Sequence, residues 1–227
     1  MTIPLMIFAA GRGTRMGALG ANQPKAMLQV GGQRLIDHAL GIAAQAAMAP
    51  ILINTHHHSD QLHRHLAAQA SLHIQHETEL LETGGGLKVA RSVFGLGPVA
   101  TLNADAVWKG ENPLRQLLAA FDPAKMDVLL LLAPTDQALA SGPGDFFLDA
   151  GRLRRRAPAP TAPFIYTGAQ IINPARLDEI HDTVFSMNRL WDKLIASNRA
   201  FGLPMQGAWR DVGTPEALAA AEVWMAE

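Results

Sequence analysis

MIFAAGRGTRMGALGANQPKAML, at residues 6–28, is the stretch that decides the fold. Its first five residues, Met6–Ala10, form an apolar run that is typical of a strand buried on both faces of a sheet. Gly11 and Gly13 follow directly, so the predicted strand ends in a glycine turn. Open α/β sheets bind their ligands beyond the carboxyl ends of their strands, and this turn lies at such an end.

Three cations accompany the glycine turn, namely Arg12, Arg15 and Lys25. Glycines allow backbone N–H groups to approach an anion, because no Cβ stands in the way. Arginine adds a forked set of donors, and lysine adds a point charge. The combination favours phosphate binding, although the glycines alone are also compatible with a tight strand-to-helix turn that carries exposed charges.

Two better-known glycine motifs are excluded. A dinucleotide-binding G-x-G-x-x-G motif needs a third glycine where Met16 stands, and the G-x-x-x-x-G-K-[ST] string of a P-loop is absent from the sequence. The second predicted strand ends at Thr55 rather than at an acidic residue. An NAD-dependent oxidoreductase is therefore disfavoured.

The composition is that of a globular protein with a substantial core. The chain has 227 residues, of which 48% are hydrophobic and 17% are charged, and its formal net charge is −1. This length fits one large domain or two small ones. Because the chain is nearly neutral, it has no overall electrostatic field that would attract nucleic acid or membranes. The absence of cysteine excludes disulfides and thiolate chemistry. With no signal-peptide pattern and no apolar run near the ~18 residues of a membrane helix, we expect a cytoplasmic protein.

Strand and helix patterns alternate through the first part of the chain. Apolar residues recur at helical spacing over 34–48, between the Met6–Ala10 strand and a second buried strand, Pro50–Thr55. This order of elements predicts a right-handed βαβ unit. Further strands are predicted over 72–75, 98–102 and 127–133. The pattern predicts an α/β, Rossmann-like, three-layer α/β/α fold with a mostly parallel central sheet.

A group of five histidines suggests a metal site, but the spacing argues against one. His56, His57 and His58 lie at a strand end, while His63 and His65 are two residues apart and point to different sides of a predicted helix. We interpret this segment as a solvated helix entry without a metal.

Glycines recur in ETELLETGGG, residues 77–86, just before an amphipathic helix. Three consecutive glycines at a helix start predict a second place where the backbone approaches a ligand, with helix-start N–H groups facing it. A flexible loop is the alternative.

Two aspartates are candidate metal ligands. Asp105 follows the strand at 98–102, where burying an unpaired carboxylate would be unfavourable, and magnesium takes carboxylate oxygens together with substrate phosphates. Asp211 precedes a turn that leads into a helix capped by Thr214 and Pro215. The alternative interpretations are a turn aspartate and a capping aspartate, respectively.

The character of the chain changes over 134–163, which is rich in proline and glycine. Asp145–Leu148 and Arg152–Leu153 are predicted to pair as a β-hairpin inserted after the main sheet. The three arginines at 154–156 fit a solvated hairpin edge better than a nucleic-acid patch. Phe164–Ile172 returns as a strand, and Gly168 within it indicates close approach by a ligand or by backbone.

AAGRGTRM (9–16) followed by QPKAML (23–28) resembles the signature of the sugar-nucleotide nucleotidyltransferases, G-x-G-x-R-[ML]…P-K. These enzymes transfer a nucleotidyl group from a nucleoside triphosphate to a sugar 1-phosphate. The strings LETGGG (81–86) and WRDVGT (209–214) resemble one branch of that family, the bacterial N-acetylmuramate 1-phosphate uridylyltransferases and related enzymes described as mannose-1-phosphate guanylyltransferases. The resemblance covers nearly the whole chain as a single nucleotidyltransferase domain, 1–227, with a nucleotide-binding part at about 1–133 and a sugar-phosphate-binding part at about 134–227.

The resemblance implies four catalytic residues, namely Arg15, Lys25, Asp105 and Asp211. Asp105 and Asp211 would hold Mg²⁺ as cofactor. Lys25 would lie between the two substrates, and Arg15 would hold the triphosphate. That the two aspartates meet is implied by the resemblance alone, since their separation in sequence does not give a distance.

The remaining site residues are also implied by the resemblance. The nucleotide-binding residues are Ala10, Gly11, Arg12, Gly13, Thr83, Gly84 and Asn103. The sugar-phosphate-binding residues are Gly144, Asp145, Gly168 and Asn188. The wider family often carries a Glu-Lys-Pro segment that contacts the sugar, and this chain has Arg154–Pro160 in its place. Trp191 has two interpretations, a place at the border of the sugar site or in the core, and we expect it to pack in the core.

The expected substrates are UTP and N-acetylmuramate 1-phosphate, which would serve cell-wall sugar recycling. Guanylyl transfer to mannose 1-phosphate or a heptose 1-phosphate is the alternative reaction. A nucleotide-sugar-binding regulator without catalysis is the alternative of another class. We expect a nucleoside triphosphate and a sugar 1-phosphate as partners, no nucleic acid and no membrane, and a monomer or small homo-oligomer.

Overall fold

A mixed β-sheet forms the centre of the computed structural model, which describes residues 3–69, 71–136 and 142–227. The strands are β1 (Leu5–Phe8), β2 (Gln29–Val30), β3 (Gln33–Arg34), β4 (Ile51–Thr55), β5 (Leu72–His76), β6 (Val99–Asn103), β7 (Ala106–Lys109), β8 (Val128–Pro134), β9 (Phe146–Asp149), β10 (Arg152–Arg155), β11 (Phe164–Ile172), β12 (Ala200–Pro204) and β13 (Ala208–Asp211). The helices are α1 (Ala18–Ala21), α2 (Leu35–Gln45), α3 (Ser59–Leu66), α4 (Glu82–Phe94), α5 (Pro113–Ala120), α6 (Asn188–Ala196) and α7 (Pro215–Ala226).

Within the described part of the chain, nine strands form the main sheet in the order β5-β4-β1-β6-β11-β8-β12-β10-β9. The neighbours β5, β4, β1 and β6 are parallel, as are β8 and β12. Strands β11 and β10 run antiparallel to their neighbours. The predicted α/β fold with a mostly parallel sheet is confirmed, and β11 joins its two parallel parts.

Helices cover both faces of the sheet, which makes three layers. Because side chains alternate along a strand, Leu5 and Ile7 of β1 pack in the core beneath α2, α3 and α5, while Met6 packs in the core beneath α4 and α6. All three side chains are fully buried. The continuous apolar run that decided the fold is therefore buried on both faces, as predicted.

The predicted hairpin forms at the far edge of the sheet. Arg152 pairs with Asp149 across Ala150 and Gly151, whose φ angles are +48° and +81°. Two central residues with positive φ are typical of a two-residue type I′ turn. The first strand of this hairpin begins and ends one residue later than predicted, and the second begins at Arg152 as predicted but extends two residues further, to Arg155. Residues 137–141, inside the predicted proline- and glycine-rich segment 134–163, lie outside the described residues.

Five strands were not predicted, namely β2, β3, β7, β12 and β13. All are two to five residues long, and β7 with β13 and β2 with β3 pair as separate two-stranded ladders beside the main sheet. The helix predicted over 34–48 ends earlier, at Gln45, because Ala47 adopts a left-handed conformation with φ +52°. No helix in the described ranges is long and apolar enough to cross a bilayer.

Candidate active site

Three adjoining cavities open at the carboxyl ends of β1 and β6, where the fold predicts ligands to bind. The first has a volume of about 330 Å³, the second about 280 Å³ and the third about 220 Å³. Asn103, at the end of β6, lines all three. The cavities therefore form one connected surface around the end of a central strand.

The predicted site residues are distributed among these cavities. The first is lined by Ala10, Gly11, Lys25, Thr83, Asn103 and Asp105. The second is lined by Thr83, Asn103, Asp145, Tyr166, Asn188 and Trp191. The third is lined by Asn103, Asp105, Gly144, Asp145, Gly168 and Asp211.

Lys25 and Asp105 form an ion pair where the first and third cavities meet. Nζ of Lys25 donates to Oδ2 of Asp105 over 2.6 Å. The Lys25 side chain is only 11% exposed and that of Asp105 is 31% exposed. Lys25 begins a short 3₁₀ turn, Lys25–Met27, which aims the ammonium back at the end of β6. A charge-assisted bond of this kind strengthens in a partly desolvated site.

Asp211 is brought to Asp105 by the β7–β13 ladder. In this antiparallel ladder Asp211 lies opposite Ala106, the residue directly after Asp105. The amide of Val212 then donates to the carbonyl oxygen of Asp105 over 2.8 Å. Two aspartates that are distant in sequence therefore become neighbours through short strands that follow β6.

The electrostatics of Asp211 reflect this crowding. Burial raises the pKa of the Asp211 carboxyl above its usual value, and the neighbouring Asp105 carboxylate raises it further. The cations Lys25 and Arg15 and the amide of Gly213 oppose this rise. A buried carboxylate beside another carboxylate is stabilised by any further cation that binds between them.

Arg15 lies beside Asp211, and Gly213 permits this approach. A Cβ at position 213 would lie 2.4 Å from Oδ2 of Asp211 and 3.4 Å from Nη2 of Arg15. A side chain there would displace the carboxylate, so the glycine of the WRDVGT string is required by close packing. The four predicted catalytic residues are thus in one cluster.

The pair of aspartates fits Mg²⁺. The described residues contain no cluster of three or more acidic, histidine or cysteine side chains that could hold a metal without substrate. Mg²⁺ commonly binds through one or two carboxylates and takes its other ligands from water and substrate phosphates. Asp105 and Asp211, with mutual repulsion that raises the pKa of Asp211, match that type of site.

The glycine turn borders the first cavity at Ala10 and Gly11. Gly13 has φ +62°, a conformation that glycine adopts readily, and its carbonyl accepts from the amide of Met16 over 2.8 Å. The turn directs Arg12 and Arg15 outward, where both side chains are exposed. Neither arginine is among the described residues that line these three cavities; Arg15 lies beside Asp211 of the third, and Arg12 is placed to meet a ligand that extends beyond the first.

The glycines of LETGGG have a different role from the one predicted. The amides of Gly84 and Gly85 both donate to the carbonyl of Phe185, over 2.9 and 3.2 Å. A Cβ on Gly84 would lie 2.3 Å from the Phe185 ring, and one on Gly85 would lie 2.2 Å from the carbonyl oxygen of Thr183. The prediction that these N–H groups face a ligand is wrong in this conformation, because both are hydrogen-bonded to Phe185 in the segment before α6.

Sequence reasoning missed a buried polar network in the wall of the first cavity. The Asn54 side chain accepts from the amide of Ala9 and donates to Oε1 of Glu77, both over 2.8 Å. Glu77 is 2% exposed, and its other oxygen accepts from the amide of Leu81 over 3.0 Å. The network fastens the glycine turn to the start of α4. Its signals were an Asn near the end of the second strand and a Glu at the start of ETELLETGGG.

The predicted sugar-side residues lie around the second and third cavities. Oδ2 of Asp145 accepts from the amide of Tyr166 over 2.9 Å, which places the carboxylate between both cavities. Gly168 has φ +87°, and a Cβ there would lie 2.8 Å from Cβ of Asn103. The close approach at Gly168 is therefore made by the side chain of Asn103 on β6, where a ligand or backbone was predicted. Trp191 is 5% exposed and packs in the core, as expected, while its edge lines the second cavity.

The histidines of the second βα turn have separate partners. His56 bonds the carbonyl of Glu77, His63 bonds the hydroxyl of Thr55, and His65 bonds Asp37. These contacts place the rings in different environments.

The family assignment follows from comparison with known proteins. The model of the MobA-like NTP transferase domain matches residues 5–197, a range that contains the glycine turn, Lys25 and Asp105. The chain belongs to this family.

Relatives with assigned reactions match almost the whole chain. It is 37% identical over 233 residues to N-acetylmuramate alpha-1-phosphate uridylyltransferase from Caulobacter vibrioides, and the alignment covers 98% of this chain and 96% of the relative. It is 29% identical to the enzyme of the same name from Neisseria meningitidis serogroup B, over 96% of this chain and 98% of that one. A UDP-glucose pyrophosphorylase solved with UDP-glucose superimposes with a TM-score of 0.80 at 17% identity, covering 99% of this chain and 98% of the other, which shows a shared fold.

This MobA-like NTP transferase domain therefore holds Lys25, Asp105 and Asp211 at the junction of its cavities, with Arg15 beside Asp211. The arrangement offers a glycine turn and a cation at the first cavity and two carboxylates at the third. Asp211 lies beyond the segment that the family model matches, and β13 brings it back to the site.

Proposed function

We propose that this protein is a sugar-1-phosphate nucleotidyltransferase that transfers the uridylyl group of UTP to N-acetylmuramate 1-phosphate, with release of pyrophosphate. The observation that carries the proposal is the cluster of Lys25, Asp105 and Asp211 at the junction of the cavities, with Arg15 beside Asp211. The full-length similarity to N-acetylmuramate 1-phosphate uridylyltransferases supports the choice of substrates.

The residues of the first cavity would bind the nucleotide. Backbone N–H groups of the glycine turn, from Ala10 to Gly13, and the exposed guanidinium of Arg12 would hold the triphosphate. Thr83 and Asn103 line the same cavity and would contact the nucleoside. The Asn54–Glu77 network would keep these walls at a fixed separation.

Bringing two polyanions together is the main physical problem of this reaction. An oxygen of the sugar 1-phosphate attacks the α-phosphorus of UTP, a bond to that phosphorus forms, and the bond to the bridging oxygen of pyrophosphate breaks on the opposite side. Lys25 and Arg15 would stabilise the charge on the transferring group. The attacking phosphate is already ionised, so no residue is needed to remove a proton. Mg²⁺, when bound by Asp105 and Asp211, would neutralise phosphate charge.

The residues of the second and third cavities would bind the sugar phosphate. Asp145 and Asn188 offer hydrogen-bonding groups toward the second cavity, and Gly144 and Gly168 form part of the wall of the third. The third cavity also contains Asp105 and Asp211, so a sugar bound across these cavities would place its phosphate beside the metal site.

The proposal also assigns the contacts with the two substrates to two parts of the chain. Residues 1–227 would act as one domain, with nucleotide contacts mainly from 1–133 and sugar-phosphate contacts mainly from 134–227. The protein would work with Mg²⁺ in the cytoplasm, as a monomer or small homo-oligomer, in the recycling of peptidoglycan sugars.

The test is pyrophosphate release with Mg²⁺ across a grid of the four common nucleoside triphosphates and the 1-phosphates of N-acetylmuramate, N-acetylglucosamine, glucose and mannose. We expect release with UTP and N-acetylmuramate 1-phosphate. Release only with GTP and mannose 1-phosphate would overturn the substrates and keep the reaction. Tight binding of nucleotide sugars by folded protein, without any release, would favour a regulator without catalysis.

A further inference from the structure

Arg155 places a cation on the sugar side of the site, away from the phosphate-binding cluster. It is the last residue of β10, and its side chain lines the second cavity. Among the described residues that line this cavity, Arg155 is the cation and Asp145 is the carboxylate. Lys25 lines the first cavity instead. A guanidinium in this position is not required for a sugar that carries only hydroxyl and amide groups.

The guanidinium is held by a framework that leaves donors available. Nε donates to Oδ1 of Asp192 over 2.7 Å, and Nη2 donates to the carbonyl of Asn188 over 3.1 Å. The group also lies over the rings of Phe146 and Trp191, with its central carbon 5.0 and 5.6 Å from their centroids. An arginine has five N–H donors, and its bonds within the described part of the chain use only Nε and Nη2.

N-acetylmuramate differs from N-acetylglucosamine by a lactyl ether at O3, which carries a carboxylate that is ionised at neutral pH. We propose that Arg155 binds this carboxylate and thereby selects an acidic N-acetylhexosamine 1-phosphate over its neutral counterpart. The inference rests on the proposed function. A guanidinium that is fixed on two aromatic rings is well suited to pair with a carboxylate in a forked geometry.

The present partner of Arg155 does not prevent this role. The Asp192 side chain is 61% exposed, so its ion pair with Arg155 is weak and readily exchanged for another carboxylate. Asp145 bonds the amide of Tyr166 rather than Arg155 and remains as an acceptor for sugar hydroxyls. The second cavity therefore offers separate places for hydroxyl donors and for one anion.

A purely structural role makes a different prediction. Arg155 joins β10 to α6 through Asp192, and α6 carries Trp191 in the wall of the cavity. If Arg155 served only to hold α6, its loss would weaken binding of neutral and acidic sugars alike. Loss of Asp192 would then have the same effect.

The experiment measures binding of UDP-N-acetylmuramate and UDP-N-acetylglucosamine by calorimetry, together with kcat/KM for the two sugar 1-phosphates. We expect Arg155→Gln to weaken the binding of UDP-N-acetylmuramate about tenfold or more, which is the scale of a lost charge-assisted pair. The affinity for UDP-N-acetylglucosamine is expected to change less than about twofold. Arg155→Lys, which keeps the charge but not the fork, is expected to lose part of the preference. The matched control is Arg154→Gln, because the exposed guanidinium of Arg154 lies over Phe147 on the other face of β10. This variant is expected to bind both ligands as the wild-type protein does.

Asp192→Asn separates the two roles. Recognition of the carboxylate predicts unchanged or tighter binding of UDP-N-acetylmuramate, because Arg155 loses a competing partner. Equal weakening of both ligands by Arg155→Gln, or the same loss in Asp192→Asn, would overturn the inference. Wild-type protein that transfers a nucleotide only to neutral sugars would instead overturn the proposed function. Wild-type activity on N-acetylmuramate 1-phosphate with an unchanged preference in Arg155→Gln would overturn the inference alone.

Discussion

Nζ of Lys25 lies 2.6 Å from Oδ2 of Asp105, although 80 residues separate the two in sequence. The contact joins the 3₁₀ turn Lys25–Met27, which follows α1, to the residues directly after β6, the strand next to β1. A cation that is 11% exposed and already directed at a carboxylate needs little reorganisation to act on a phosphate that arrives beside it. The pairing therefore links the fold directly to the proposed chemistry.

Replacing Lys25 tests that link. We expect Lys25→Ala to lower kcat by about 10²–10³-fold, the scale seen when one preorganised electrostatic donor is lost. The measurement is pyrophosphate release at saturating substrates, accompanied by thermal melting to verify folding. Lys125→Ala is the control, because that side chain is 74% exposed and, among the described residues, pairs only with Asp122. Near-normal turnover in Lys25→Ala would contradict the assignment.

Because Asp211 is partly buried beside the Asp105 carboxylate, we expect its replacement to have opposite effects on stability and on activity. Its raised pKa means that the folded protein keeps this proton to a higher pH than the unfolded chain does. The folded state is therefore disfavoured progressively as the pH rises from the usual carboxyl range through the raised pKa, and it remains so at neutral pH. Asp211→Asn removes that penalty. We expect a higher melting temperature than wild type at pH 7 without metal, together with a loss of turnover of about 10²-fold or more.

The pH dependence provides the check on Asp211. At a pH below the usual carboxyl pKa, both forms are neutral and the advantage of Asp211→Asn is expected to vanish. Asp122→Asn is the control with the opposite sign, because Lys125 and the amide of Ala124 lower the pKa of Asp122. A variant at 211 that is less stable than wild type at pH 7 would contradict the proposed crowding.

Binding of Mg²⁺ is expected to depend on both aspartates. A divalent cation between Asp105 and Asp211 offsets their repulsion, and UTP phosphates supply further ligands. We expect Mg²⁺ to raise the melting temperature of the wild-type protein in the presence of UTP, by an amount that grows with concentration. Asp105→Asn and Asp211→Asn are each expected to lose most of this shift, and EDTA is expected to abolish pyrophosphate release. An equal shift in all three proteins would indicate that the aspartates do not hold the metal.

The sequence was sufficient to predict the neighbouring parallel strands β5, β4, β1 and β6, and thereby the edge of the sheet at which Lys25 and Asp105 meet. Met6–Ala10 and Pro50–Thr55 are apolar enough to identify buried strands, and carboxyl ends of parallel strands meet at one edge. The meeting of Asp105 with Asp211 was implied only by resemblance. It depends on β7 and β13, whose four-residue strands are defined by pairing with each other rather than by a periodic pattern.

The glycines of LETGGG show a second limit. A run of glycines after a strand fits both a ligand-binding backbone and close packing, because both need the absence of a Cβ. The partner that occupies the space at Gly84 is Phe185, about 100 residues away, and local sequence carries no information about it. For the same reason, the place of Arg155 in the cavity wall could not be predicted from the three-arginine run that contains it. That place is set by the register of the hairpin.

Gly84→Ala distinguishes packing from ligand contact. A Cβ at this position would lie 2.3 Å from the Phe185 ring, so we expect a loss of stability of about 1–3 kcal/mol, the usual range for overpacking a core. The matched control is Gly41→Ala in α2, where a Cβ meets nothing within 4 Å and alanine is expected to stabilise the helix by about 0.5–1 kcal/mol. Urea unfolding of the three proteins gives both values. If Gly84→Ala were as stable as wild type but bound UTP more weakly, the glycine would serve the ligand, and the packing role assigned here would be wrong.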